Sequence, residues 1–244
     1  MNLAIIPARG GSKRIPHKNI RYFLGKPIIA YSILSAIRSE IFDEVMVSTD
    51  SNEIAEIAKE YGAVIPFMRS DIASDDYSTT ADVLLEVLSN YKRRGKTFDR
   101  LCCIYPTAPF VTPEKLCAAY RLLLQQYTDA IIPVVAFSYP PLRGLVLDDS
   151  FVKLKWPENL NTRSQDLEAI YHDCGQFYFV RTEAFLNEKT LLCKKTVPMI
   201  LSENEVQDID NEIDWKLAEL KYRLIVNSCI DYDKVNDTRD LGER

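Results

Sequence analysis

Directly after an apolar run at 3–7 the chain reads Ala8, Arg9, Gly10, Gly11, Ser12, Lys13, Arg14, Ile15, Pro16, His17, Lys18, Asn19. Two adjacent glycines let backbone N–H groups approach a phosphate closely, and the surrounding cations neutralise its charge. In a parallel α/β sheet such a loop lies at the carboxyl end of its strand, where ligands bind. The chain contains neither GxxxxGK[ST] nor GxGxxG, which disfavours a P-loop kinase and an NAD-binding oxidoreductase. A second pattern is Asp208 and Asp210. On an extended segment both carboxylates point to one side, and two hard oxygen donors suit Mg²⁺ (or Mn²⁺) on a triphosphate. The same residues also fit Asp210 as the cap of a following helix. Arg163, within Asn161, Thr162, Arg163, Ser164, Gln165, carries the planar guanidinium that best pairs with a carboxylate.

The charge pattern agrees with a local anion site. The net charge of the 244 residues is −5, which argues against general nucleic-acid binding. Residues 1–39 contain no acid but seven Lys and Arg, leaving 23 basic and 35 acidic groups in the rest. One small cationic site in an acidic body fits a polyanionic small molecule better than a nucleic-acid face. No apolar run approaches the roughly 18 residues of a membrane span, and Met1 leads straight into strand-like sequence without a signal peptide. The six cysteines form no CxxC and sit mostly in apolar patterns. They read as reduced thiols in a cytoplasmic protein, without a zinc site.

The elements that must position these groups follow from periodicity. Strand-like runs at 3–7, 44–48, 63–68, 101–105 and 130–135 alternate with helical spacing, the order of a parallel sheet. Ile54, Ile57, Ala58 and Tyr61 mark a helix behind Asp50, whose Glu53 completes a capping box. Thr112 and Pro113 open another, with Leu116, Ala119, Tyr120 and Leu123 as its buried stripe. Beyond about 136 the order breaks, with strands at 151–156 and 176–181 around a polar stretch. Helix returns only at Ile213, Leu217, Leu220 and Leu224. The expected organisation is a domain over 1–227 with an arm at about 137–181, then a polar tail at 228–244.

The loop as a whole resembles the N-terminal signature of the acylneuraminate cytidylyltransferases, the CMP-sugar synthetase family: a strand, then A-R-x-x-S-K-x-x-P-x-K-N, every fixed position filled. The resemblance continues in order through Val47, Ser48, Thr49, Asp50; Arg69 with Ala73, Ser74, Asp75, Asp76; Pro106, Thr107, Ala108, Pro109; Asn161, Thr162, Arg163; and Gln207, Asp208, Ile209, Asp210. It implies a Rossmann-like, mostly parallel α/β sheet flanked by helices, with a small β-containing dimerisation arm that lends residues to the neighbouring subunit of a homodimer. It also implies CTP binding through Ala8, Arg9, Gly10, Gly11, Ser12, Lys13, Lys18, Asn19, Arg69, Thr79 and Thr80. Asp208 and Asp210 would hold the metal. The anomeric hydroxyl of a sialic-acid-like sugar would attack the α-phosphorus and release pyrophosphate, with Arg9, Lys13, Lys18 and Asp210 as the catalytic charges. Asp210, a metal-bound water and the sugar's own groups all remain open as the base.

Sialic-acid members carry Gln before P-T-S-P and an Arg shortly after, where this chain has Tyr105 and then Phe110 and Val111. Together with Arg14, with Pro157, Glu158, Asn159, and with the run from Tyr171 to Tyr178, these departures resemble the pseudaminic acid branch, whose product serves surface glycan or flagellin glycosylation. Sugar contacts are then expected from Tyr105, Thr107, Arg163, Gln165, His172, Asp173, Gln176 and Tyr178, although His172 also fits a structural role. Legionaminic, N-acetylneuraminic and Kdo cytidylyltransferases are the alternatives, as is a non-catalytic nucleotide-binding module.

Overall fold

The run Asn2–Pro7 (β1) is buried on both sides along almost its whole length, which only an interior strand of a sheet covered on two faces allows. In the computed structural model, which describes residues 1–12, 14–74, 78–125 and 127–237 and side chains up to 226, this strand lies inside a seven-stranded sheet. The elements after it are β2 (Tyr22–Phe23), β3 (Lys26–Pro27), α1 (Ile29–Arg38), β4 (Glu44–Ser48), α2 (Asn52–Glu60), α3 (Thr80–Arg93), β5 (Arg100–Ile104), α4 (Pro113–Leu123) and β6 (Ala130–Ala136). Then follow β7 (Leu145–Asp148), β8 (Phe151–Leu154), β9 (Tyr171–Asp173), β10 (Phe177–Arg181), α5 (Thr182–Glu188), β11 (Thr196–Ile200) and α6 (Glu212–Asp237).

The strand order is β11-β6-β10-β5-β1-β4, with β9 added beside β6. β1 runs parallel to β4 and β5, and β11 parallel to β6, while β10 and β9 run against their neighbours. The carboxyl ends of β1, β4 and β5 therefore share one edge with the amino end of β10. One face buries Ile6, Val47, Ile104 and Phe179 beneath α1, α2 and α4; the other buries Ile5, Met46, Cys103 and Val180 beneath α3 and α5. A third cluster joins Ile15, Phe23, Phe110 and Ile209 to Trp215 and Ala218 of α6. The mostly parallel α/β architecture read from the sequence is present.

Several local expectations change. Asp50 does not cap α2: Ser51 does, accepting from the Ile54 amide at 3.4 Å, because Asp50 Oδ1 is taken by the Gly10 amide at 2.8 Å. Residues 63–68 are not a strand; Val64 forms a single parallel bridge to Met46, and Pro66 has no amide to extend the ladder. Helix returns earlier than 213, as α5. Ile213, Leu217 and Leu220 lie on the exposed side of α6, whose buried stripe is Trp215 and Ala218. The α6 backbone continues to Asp237, past the 228 boundary, because loss of apolar periodicity marks where a helix stops packing rather than where it ends. The arm segment 137–181 divides: β7 and β8 form a separate exposed hairpin, whereas β9 and β10 belong to the central sheet.

Phe179, on β10, is fully buried between Tyr120 and Phe42, each ring 5.6 Å away. Phe179→Ala is expected to lower unfolding stability by about 3–5 kcal/mol, read as a lower urea midpoint at unchanged slope.

Candidate active site

The loop after β1 begins buried and emerges at the shared sheet edge. Ala8 is fully buried and its amide donates to Ser48 O at 2.9 Å, so the turn starts locked to the end of β4. The Gly10 amide is held by Asp50, and a Cβ at Gly10 would meet Ser51 Cβ at 3.2 Å; around Gly11 there is open space. Ser12 donates its amide to Gly10 O, tightening the turn. Asn19 is buried and gives its side-chain N–H to Arg9 O at 2.9 Å, closing the loop from its far end. Lys13 lies outside the described residues, as do Asp75 and Asp76.

This loop forms one wall of a cavity of about 590 Å³. Arg9, Ser12, Arg14, Lys18 and Asn19 line it from the loop, and Arg69, Ser78, Thr80 and Val83 from the opposite side. Tyr105, Pro106 and Thr107 come from the end of β5, and Asp208 and Asp210 from the segment before α6. Arg69 is 8 % exposed, with Nε on Ser48 Oγ at 3.1 Å and Nη2 on Ser48 O. Its burial lowers its pKa, opposed by Asp50 and Glu86. Thr80 Oγ1 lies 3.3 Å from the Tyr105 hydroxyl.

Lys18 reaches across the cavity to Ile209 O at 2.7 Å and lies 3.9 Å from Asp210, which Arg14 also meets at 2.9 Å. Burial lowers the Lys18 pKa, and Asp210 and Asp208 oppose that shift. Asp208 is pushed the other way: its burial and the neighbouring Asp210 raise its carboxyl above the ordinary value, with Lys18 opposing. Gly175, at φ 60°, backs this carboxylate; an added Cβ would sit 3.7 Å from Asp208 Cγ.

The other expected contacts distribute unevenly. Thr79 does not line the cavity; it is the N-cap of α3, in a reciprocal capping box with Asp82. Of the expected sugar contacts only Tyr105 and Thr107 line the cavity of this chain. Asp173 is committed elsewhere: Oδ1 accepts the Gly175 amide at 2.8 Å and Oδ2 the Tyr178 hydroxyl at 2.5 Å. The Tyr178 ring packs edge-on to Tyr105 at 5.5 Å, and burial raises the pKa of both phenols. Gln176 is buried, its amide on Glu205 O at 2.6 Å. Exposed His172 packs its ring on Phe137 at 4.7 Å, and Arg163 and Gln165 are exposed in the arm. Sequence reasoning missed Asp50 as the anchor of the glycine turn and left Ser78 and Val83 out; helical spacing from the Thr79 cap places Val83 one turn below Thr80.

A glycine turn and fixed cations at the carboxyl edge of a parallel sheet, facing a carboxylate pair, define an α/β nucleotide-handling protein. The chain belongs to the cytidylyltransferase family, whose profile matches residues 3–222. It is a nucleotidyltransferase of the kind that makes CMP-sugars. It is similar to the pseudaminic acid cytidylyltransferase of Campylobacter jejuni, 41 % identical over 91 % of this chain and 97 % of the relative. The CMP-N,N'-diacetyllegionaminic acid synthase of Legionella pneumophila is 34 % identical over 89 % and 94 %. The fold matches that of a CMP:2-keto-3-deoxy-manno-octonic acid synthetase solved with CTP, at a TM-score of 0.65 and 16 % identity over 93 % and 99 % of the two chains.

The two neighbouring threonines separate by measurement. Thr79→Ala removes a cap and is expected to cost about 1 kcal/mol of stability with KM for CTP unchanged. Thr80→Val removes a hydroxyl from the cavity wall and is expected to raise that KM roughly 3- to 10-fold, the worth of one hydrogen bond. Steady-state kinetics beside thermal melts check both.

Proposed function

We propose that this chain couples CTP to the anomeric hydroxyl of a nonulosonic acid, pseudaminic acid, giving the CMP-sugar and pyrophosphate. The observation that carries the reading is the cavity in which Arg9, Arg14, Lys18 and Arg69 face Asp208 and Asp210. In-line displacement at the α-phosphorus needs little covalent help from a protein; positioning and charge neutralisation supply the rate. Arg9 and Lys18 hold the triphosphate from the loop, while Arg69 supports the opposite wall. As the bond to phosphorus forms, the attacking hydroxyl passes its proton to Asp210, to a water or to the sugar's own carboxylate, and the bond to the bridging oxygen breaks with its electron pair leaving on pyrophosphate.

The residues present fit Mg²⁺ or Mn²⁺. Asp208 is desolvated beside a second carboxylate and backed by a glycine that leaves room at its oxygens. Among the described residues no group of three or more His, Cys, Asp or Glu converges there, and Mg²⁺ characteristically takes one or two carboxylates plus substrate phosphate. When bound, the ion would neutralise phosphate charge.

The sugar assignment rests on Tyr105 in the cavity wall and on the 41 % identity to the Campylobacter enzyme. The legionaminic relative, at 34 %, keeps that sugar as the second reading. We further infer a homodimer formed through the arm, where Leu145, Leu147, Phe151 and Val152 are all more than 60 % exposed on β7 and β8. Arg163 and Gln165 would then serve the partner's cavity. A cytoplasmic location is supported by the five described cysteines, all free thiols; among the described residues no helix is long and apolar enough to cross a membrane.

A pyrophosphate-release assay crossing four nucleoside triphosphates with a panel of sugar acids tests the reaction. CTP with pseudaminic acid is expected to dominate, and Tyr105→Gln to narrow the preference over sialic acid. Equal use of UTP, or sialic acid turned over as efficiently by the parent, would refute it. Mixing Arg163→Ala with Asp208→Asn, each impaired alone, is expected to restore part of the activity through heterodimers; a mixture as inactive as its components counts against a shared site.

A further inference from the structure

The segment that carries Asp208 and Asp210 belongs to no strand or helix. Among the described residues, no backbone hydrogen bond links 207–210 to the sheet edge beside it. An irregular stretch with a precise chemical duty must be held by side chains instead. Behind the segment, away from the cavity, three such groups converge on its leading turn. Gln176 Nε2 donates to Glu205 O at 2.6 Å, and Lys221 Nζ donates to Val206 O at 2.7 Å and Glu203 O at 3.1 Å. Lys115 Nζ pairs with Glu205 Oε1 at 2.9 Å while donating to Phe110 O at 2.9 Å, tying the segment to the loop that follows β5.

Gln176 has the strongest leverage of the three. It is 2 % exposed, and its own carbonyl accepts the Tyr105 amide at 2.9 Å, so its backbone is fixed to the cavity wall. Its neighbour Gly175 abuts the Asp208 carboxylate. Its Oε1 is buried without a partner among the described residues, an unfavourable arrangement that Leu or Met of similar size would avoid. Rotating the amide by half a turn would set that oxygen against Glu205 O, two acceptors face to face. The N–H bond to Glu205 O, three residues before Asp208, therefore sets the orientation of the amide.

We infer that Gln176, assisted by Lys221 and Lys115, is a positioning residue that fixes Asp208 and Asp210 relative to the cavity. Gln176 thus acts on the reaction through the carboxylates and not through the sugar. The inference rests on the reading of Asp208 and Asp210 as the metal pair. A loosened pair would meet the reacting phosphate out of place, and displacements of about 1 Å lower turnover by up to roughly 100-fold.

The test compares Gln176→Leu and Lys221→Met with the parent, in kinetics, in Mg²⁺ titration of the rate and in Mn²⁺ binding by electron paramagnetic resonance with CTP present. Gln176→Leu is expected to lower kcat roughly 10- to 100-fold. It should also raise the Mg²⁺ half-saturation and weaken Mn²⁺ binding, with little change in KM for CTP. Lys221→Met, a partly exposed change, should shift the same quantities less and carries the test if Gln176→Leu does not fold. In an Asp208→Asn background the effect of Gln176→Leu should shrink, because residues acting through one another are not additive. A full, additive loss in that background would overturn the inference. So would a lower melting temperature with unaltered kcat, Mg²⁺ response and Mn²⁺ binding. If Asp208→Asn itself leaves the Mg²⁺ response intact, the metal reading falls and this inference with it. If Asp208→Asn alters that response while both other variants match the parent, only the positioning role falls.

Discussion

The ammonium of Lys18 is the group on which the geometry of the cavity depends. It is partly desolvated, which by itself favours the neutral amine, and two carboxylates from the far end of the chain oppose that tendency. Its bond to Ile209 O spans 191 positions of sequence. A cation at the carboxyl edge of β1 is thereby attached to the segment that leads into α6. Arg21 adds a second tie of the same span, meeting Glu212 at 2.5 Å and stacking on Trp215 at 4.5 Å from the ring centroid. Beneath both lies the apolar contact of Ile15 and Phe23 with Ile209 and Trp215, which removes water from their surroundings. Charge chooses the partners, and burial of the aromatic cluster supplies the driving force to bring the ends of the chain together.

That arrangement leaves the site electrostatically unfinished by design of its own residues. Burial first, and then the neighbouring Asp210, raise the Asp208 carboxyl above its ordinary value. On the other side, Arg9, Arg14, Lys18 and Arg69 crowd positive charge into one cavity. Arg14 and Lys18 partly relieve both at Asp210, while at Asp208 Lys18 and the Ile209 backbone oppose the shift without cancelling it. Under the proposed function a triphosphate would answer the cations and a divalent ion the carboxylates. The first 39 residues contain no acid, so the carboxylates that meet their cations in and beside the cavity, Asp210 and Glu212, come from the far end of the chain.

Much of this was legible before any coordinates. Strands 44–48 and 130–135 and the Thr112–Pro113 helix start were marked by β-branched runs and a cap, which are local signals, and they stand where expected. The glycine turn and its cations were legible because they are contiguous. What was misread depends on partners distant in sequence. Asp50 has the spacing of a helix cap, yet the turn 40 residues earlier uses its carboxylate. The Ile and Leu stripe of α6 is the more hydrophobic one, yet the opposite stripe is buried because Trp215 meets Phe23 and Tyr222 completes the ring cluster. Thr79 and Thr80 are adjacent and chemically alike, but one residue of helix phase, about 100°, sends the first to cap α3 and the second to the cavity.

The residues expected to read the sugar show how specificity can be built one layer behind a surface. Asp173 accepts the Gly175 amide with one oxygen and the Tyr178 hydroxyl with the other. The Tyr178 ring packs edge-on against Tyr105, and burial raises the pKa of both phenols. Tyr105 in turn reaches Thr80 across the cavity wall. A carboxylate on β9 is therefore linked through Tyr178 to the tyrosine that lines the cavity at the end of β5. An amide at position 105, as in sialic-acid members, would offer a donor and an acceptor at its tip and no aromatic face, and could not pack edge-on against Tyr178. Position 105 and the Asp173–Tyr178 pair thus pack as one unit, and a change at the first is felt at the second.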